Sequence, residues 1–233
     1  MSLFEVIKMY CNRQVKLVAL LNNNDNQRMM TTAADIFSFS PKINWFNSDE
    51  QFHHLYPLAM QQLARRHWTS LAITQKVVQF LTPSPGVKVL DIGSGVGKFC
   101  LTGANYQPSA QFYGIEQRSD LVAHAETAKS ILGLSNAHFI HGNFTALDFR
   151  QYDHFYFYNS FYEHLVDTDK IDEHIIFSES LYNYYNRCLY KKLGQMPAGT
   201  RLATFHTLED KVPPGYYLAD AQMGTLLKFW VRV

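Results

Sequence analysis

The stretch Val87-Lys88-Val89-Leu90-Asp91-Ile92-Gly93-Ser94-Gly95-Val96-Gly97-Lys98-Phe99 decides the fold. A β-branched, apolar run ends in an acid and Ile92, and three glycines then alternate with other residues. The run predicts a buried strand over 87–92, and the glycines a tight turn into a helix near 97–105. Glycines there remove side chains where something must approach the backbone closely, and they permit positive φ.

The same alternation continues downstream. Strands are predicted at QFYGIE (111–116), AHFIHG (137–142), DHFYFYN (153–159) and TRLATFH (200–206), with helices near 119–132 and 177–193. Strands that alternate with helices build a parallel sheet covered on both faces. Two final runs, GYYLADA and TLLKFWVRV, flank Gln222-Met223-Gly224 and read as a closing antiparallel hairpin. Upstream, residues 3–82 read as helical. Ser48 before Asp49 and Glu50 is a predicted N-cap, and Thr69 or Ser70 caps a helix whose apolar residues are Leu71, Ile73, Val77, Val78 and Leu81. Thr82-Pro83-Ser84-Pro85-Gly86 ends that helix. Two parts follow: an N-terminal helical cap over 1–85 and a doubly wound α/β domain over 86–233.

The formal net charge is +1, with acids and bases mixed, so no broad electrostatic footprint for nucleic acid is expected. Cys11, Cys100 and Cys188 are far apart and form no CxxC pair, which excludes a disulfide framework and a zinc ribbon. The opening MSLFEVIKMYC lacks the basic start and apolar core of a signal peptide, and LVALL is too short to span a bilayer. A reduced, cytoplasmic setting with no membrane partner is the expectation. No motif sets an oligomeric state.

In a doubly wound sheet, ligands bind beyond the carboxyl ends of the strands. Glu116 closes the second strand about 19 residues after Gly97, where an acid accepts hydrogen bonds from both ribose hydroxyls of a nucleoside. The alternative is a strand-to-helix turn without a ligand. Gly93, Gly95, Gly97 and Glu116 together predict an adenosine-containing cofactor. The spacing is G-x-G-x-G, whereas the dinucleotide fingerprint is G-x-G-x-x-G. Asp91 would repel a pyrophosphate at the helix N-terminus. It suits S-adenosylmethionine, which has no phosphate and carries cationic sulfonium and amino groups. A nicotinamide-dependent oxidoreductase is therefore disfavoured. A non-catalytic module of the same fold is the other alternative.

These residues resemble a class I S-adenosylmethionine-dependent methyltransferase: VLDIGSGVGKF is similar to the family's first motif and FYGIEQR to its second. DIGSGVGKFCLTGA with YGIEQ is similar to Dot1-like methyltransferases. It is closer still to bacterial class I members that have a helical N-terminal part and a segment like Arg65-Arg66-His67-Trp68-Thr69. The resemblance implies a seven-stranded sheet whose last strand runs antiparallel. It implies cofactor contacts from Asp91, Gly93, Ser94, Gly95, Gly97, Glu116 and Gln117. Asn143 and Phe144, in His141-Gly142-Asn143-Phe144, are implied at the adenine, and Trp68, Thr69 and Tyr158 near the cofactor's mouth.

By the same resemblance, the end of the fourth strand faces the sulfonium. Asn159-Ser160-Phe161-Tyr162 partly resembles the N-P-P-Y motif of amino methyltransferases, but both prolines are absent. Asn159 is expected to orient the acceptor, walled by Tyr158, Phe161 and Tyr162. Methyl transfer is an in-line displacement that alignment alone can accelerate, so a base is optional; Glu163 and His164 are the nearest candidates, with exposed loop residues as the plainer reading. His164, Asp167, Asp169 and His174 have no recognised ligand spacing, and no metal is expected. The segment 166–174 reads as a lid or an insertion. The expected acceptor is a small molecule or protein side chain, with nucleic acid disfavoured by the near-neutral charge.

Overall fold

The computed structural model describes residues 43–165 and 170–233. The N-terminal half of the segment read as helical, 3–42, lies outside these residues, as do Cys11, Asp167 and Asp169. The chain divides into two compact units at Gln62/Leu63. In the first, Ser48 is the N-cap: its Oγ accepts the Gln51 N–H at 3.1 Å and opens the short helix Asp49–His53.

The second unit, Leu63–Val233, contains a seven-stranded sheet among its described residues. Its strands are β1 (Lys88–Ile92), β2 (Gln111–Glu116), β3 (Ala137–His141), β4 (His154–Phe157), β5 (Arg201–Phe205), β6 (Tyr216–Gln222) and β7 (Leu227–Arg232). Their spatial order is β3-β2-β1-β4-β5-β7-β6. Strands β1 to β5 pair in parallel, and β7 runs antiparallel to both β5 and β6. This is the doubly wound sheet expected from the alternation, with the seven strands and antiparallel last strand that the resemblance implied.

The longer helices are α1 (Leu71–Leu81), α2 (Lys98–Tyr106), α3 (Ser119–Leu132) and α4 (Glu179–Gly194). Ser70, not Thr69, caps α1 by accepting the Ile73 N–H at 3.3 Å. Leu71, Thr74, Val77, Val78 and Leu81 are the buried positions of α1, which packs on α2, β4 and β5. The compact unit therefore begins upstream of α1, whereas the sequence marked a boundary at the Pro-Gly stretch 82–86. The Pro-Gly signal records a turn. The apolar side of α1 records which body the helix belongs to.

Alternation along the strands separates two environments. Leu90, Ile92, Phe155 and Phe157 join the core beneath α4, with Tyr185, Leu189 and Leu193. Asp91 and Tyr156, which are partners in the β1–β4 register, do not belong to that core. Asp91 meets Cys100 on α2, and Tyr156 stacks on Phe99 of α2 at 4.1 Å. Chain order reverses between β1 and β4, which makes this the topological switch point where α/β sheets bind ligands.

Candidate functional site

A cavity of about 740 Å³ opens at that switch point. Asp91, Gly93, Gly95, Glu116, Gln117, Phe144, Tyr158, Asn159, Trp68 and Thr69 line it, whereas Ser94, Gly97 and Asn143 do not.

The three glycines have three different neighbours. A Cβ on Gly93 would lie 2.5 Å from Ser160 Cβ, so the Ser160 side chain fills the space that Gly93 leaves. Ser160 Oγ donates to the Ile92 carbonyl at 2.8 Å, tying the loop after β4 to the end of β1. A Cβ on Gly97 would lie 2.5 Å from the Phe139 ring, so Gly97 serves helix-to-sheet packing. Gly95, at φ +53°, has nothing within 4 Å of its would-be Cβ. It is the one of the three that presents bare backbone to open space. Ser94 lies under Gly114, with Oγ buried and without a hydrogen-bond partner among the described residues.

Glu116 is 6% exposed. Its Oε2 accepts the Gly95 N–H at 3.1 Å, and its Oε1 accepts the Arg118 N–H at 3.0 Å. Burial raises its pKa above the usual carboxylate range, and the Arg118 bonds oppose that rise. Each carboxylate oxygen keeps acceptor capacity, which matches the two adjacent hydroxyls of a ribose.

Asp91 is 4% exposed, and its hydrogen-bond donor among the described residues is the Cys100 thiol, at 3.8 Å. Burial first, then the Glu116 charge, push its pKa up to about 8. A buried carboxyl on a cavity wall with so weak a partner holds its proton and ionises when a cation is placed beside it. The residues present therefore fit the cationic S-adenosylmethionine.

Other predicted residues take structural positions. Asn143 Nδ2 donates to Gln117 Oε1 and to the Tyr185 hydroxyl, both at 3.0 Å, and its Oδ1 caps Thr145. Both ends of its side-chain amide are engaged by these bonds. Phe144 lines the cavity but stacks on Phe161 at 5.0 Å. Thr69 shares a 2.8 Å hydrogen bond with the fully buried Tyr156 hydroxyl, an 87-residue link that no local pattern announces. Trp68 lies under Lys98 Nζ, 5.8 Å from the ring centroid. Tyr158 donates to the Arg66 carbonyl at 3.1 Å.

At the mouth, Asn159 (φ 38°) and His206 (φ 54°) are both in left-handed backbone at the ends of β4 and β5. Non-glycine residues held there cost about 1–3 kcal/mol each and cluster at functional sites. The His206 ring lies 5.7 Å from that of Tyr158 at an angle of 29°. Arg66, Lys211 and the exposed Tyr162 complete the rim. Glu163 is paired with Arg118, and the His164 ring is packed between Phe177 and Tyr185, so neither is a loose loop residue. His206, Lys211 and Arg118 were missed because nothing in their local sequence distinguishes them from surface charges.

Residues 83–186 match the family model described as a methyltransferase domain. Over those residues the chain is similar to methyltransferase domains. The tRNA (guanine-N(7)-)-methyltransferase of Synechococcus sp. is 48% identical to it over 54 residues, 23% of each chain. The 23S rRNA (uracil(1939)-C(5))-methyltransferase RlmD of Shewanella sp. is 35% identical over 75 residues, 32% of this chain and 16% of that protein. This chain thus spans less than a quarter of the length of these curated relatives. TrmN from Thermus thermophilus shares the fold at a TM-score of 0.51 and 21% identity, over 73% of this chain and 50% of that one. The putative methyltransferase yhhF from Escherichia coli does so at 0.50 and 15%, over 69% and 84%.

These relatives correct the expectation of a small-molecule or protein acceptor with nucleic acid disfavoured. That expectation rested on net charge, a whole-chain sum that does not register Arg66, His67, Lys211 and His206 gathered on one cavity. No helix among the described residues is long and apolar enough to cross a membrane.

Proposed function

We propose that this chain transfers the methyl group of S-adenosylmethionine to a nitrogen of an RNA base. The observation that supports the cofactor half most directly is the buried Asp91 carboxyl, held by one weak donor, on the wall that Gly95 leaves bare. The likeness of residues 91–104 and 113–117 to Dot1-like enzymes concerns this cofactor half and assigns no acceptor. The RNA half draws on the tRNA and rRNA relatives and on the composition of the mouth. Unstacked bases are held on aromatic faces, and their phosphates by Arg and Lys. Tyr158, His206 and Tyr162 are such faces, and Arg66 and Lys211 such cations.

In the reaction, a base nitrogen lone pair attacks the methyl carbon as the carbon–sulfur bond breaks. The bond pair stays on sulfur, giving S-adenosylhomocysteine. Asn159 orients the base, Glu116 holds the ribose, and Asp91 balances the cofactor's positive charge. Methylation at a pyrimidine carbon needs a thiolate to activate the ring. Among the described residues, neither Cys100, buried against Asp91, nor Cys188 on α4 lines the cavity. A nitrogen with its own lone pair needs no such step.

The test is incubation with methyl-labelled S-adenosylmethionine and unmodified tRNA and rRNA transcripts, followed by nucleoside mass spectrometry. An N-methylated nucleoside is expected. Label in protein or metabolite fractions and none in RNA would reject the acceptor assignment.

A further inference from the structure

We infer that Arg118 is a positioning residue that couples the cofactor site to the acceptor wall; this rests on the cofactor reading above. Its side chain is 3% exposed and meets three acids. Nη1 and Nη2 grip Glu163 at 3.2 and 2.8 Å in a bidentate pair, Nε donates to Asp172 at 2.9 Å, and Glu116 lies 3.7 Å away. The Arg118 N–H also bonds the same Glu116 oxygen at 3.0 Å.

These partners come from three places in the chain. Glu116 ends β2 and faces the ribose position. Glu163 lies in the turn Tyr162–His164, directly after the Asn159–Phe161 loop. Asp172 lies beyond that loop, and its Oδ1 accepts the His174 N–H at 2.8 Å. One guanidinium therefore joins the ribose carboxylate to both segments on the acceptor side.

The geometry needs Arg in particular. A lysine keeps the charge but loses the planar fork that holds Glu163 by two bonds and Asp172 by a third. Removing the cation altogether would leave three acids crowded and under-paired. A ribose bound by Glu116 shares the carboxylate that Arg118 also holds, so its arrival bears on the Arg118 contact. The coupling is reciprocal: what steadies Glu163 also steadies Glu116.

Calorimetry with S-adenosylhomocysteine and amide hydrogen exchange, read on peptides covering 158–165 and 171–175, test this in the full chain. In the unaltered protein, saturating S-adenosylhomocysteine should slow exchange in both segments by ~10-fold, the usual size of such a coupling. In Arg118→Lys, and separately in the near-isosteric Glu163→Gln, affinity should stay within ~5-fold while that protection falls by more than half. Glu163→Gln keeps the volume and one acceptor but turns the other into a donor facing the guanidinium, so it breaks the two-bond fork and reports even if Arg118→Lys folds poorly. Undiminished ligand-induced protection in both variants would reduce Arg118 to a structural ion pair and overturn the inference. Absence of binding by the unaltered protein would instead overturn the cofactor reading, and the inference with it.

Discussion

The Gly95 N–H donates to Glu116 Oε2 at 3.1 Å across 21 residues of sequence, so the glycine turn and the acid at the end of β2 form one structure. Glu116→Ala removes both the ribose acceptor and the anchor of the turn. Charged hydrogen bonds are worth about 1.5–3 kcal/mol, so S-adenosylhomocysteine binding should weaken roughly 10- to 100-fold. Calorimetric titration measures this, and an unchanged dissociation constant would place the ribose elsewhere.

Two glycines in the same turn should behave oppositely. Gly97→Ala drives a Cβ to 2.5 Å from the Phe139 ring at φ +81°, and should cost about 1–3 kcal/mol of stability. Gly95→Ala meets open space at φ +53°, so part of its effect falls on the cofactor. The prediction is a lowered Tm as the main effect of Gly97→Ala and a weakened S-adenosylhomocysteine affinity as the main effect of Gly95→Ala. Equal effects on both readouts in both variants would remove the distinction.

Asp91 makes cofactor binding pH-dependent. Its pKa is pushed from the ordinary 3.8 to about 8 in the folded chain. The folded state therefore holds a proton that the unfolded state has released, and this group's contribution to stability, complete below pH 3.8, is lost as pH rises to about 8. A cationic ligand favours the ionised form, so S-adenosylmethionine should displace the proton below pH 8 and bind more tightly as pH rises from 6.5 to 8, a window set by the same carboxyl. Calorimetry in buffers of differing ionisation enthalpy should show proton release, and Asp91→Asn should abolish it. Release that persists in Asp91→Asn would point to Glu116, whose pKa burial also raises.

Asn159 holds φ 38° where glycine would be unstrained. Asn159→Gly should stabilise the fold by up to ~1 kcal/mol and leave S-adenosylhomocysteine affinity unchanged, while methyl transfer to RNA falls by ~10-fold or more. A Tm scan, a titration and a transfer assay separate the three effects. Full activity in Asn159→Gly would remove Asn159 from the acceptor site.

Much of the site was legible because its signals are local. Gly93-Ser94-Gly95 marks a turn, Glu116 ends a strand, and Ser48 and Ser70 stand where caps must. Asn143 shows the limit: its position after β3 was legible, but its bonds to Gln117 and Tyr185 came from other elements. The stretch 82–86 was read as a turn and as a domain edge; which elements α1 packs on is a separate matter that no residue of that turn encodes.

By itself the sequence determined the order of strands and helices, the antiparallel closing hairpin, and a cofactor that is cationic and contains a ribose. Those follow from backbone propensity, side-chain periodicity and charge at neighbouring positions, all of which act over a few residues. Only the tertiary structure decided which of three glycines faces open space, that Thr69 meets Tyr156, and that Arg118 joins Glu116 to Glu163 and Asp172. Each depends on strands and loops far apart in the chain, brought within a few ångströms by sheet register and close packing, and no local pattern encodes such a distance.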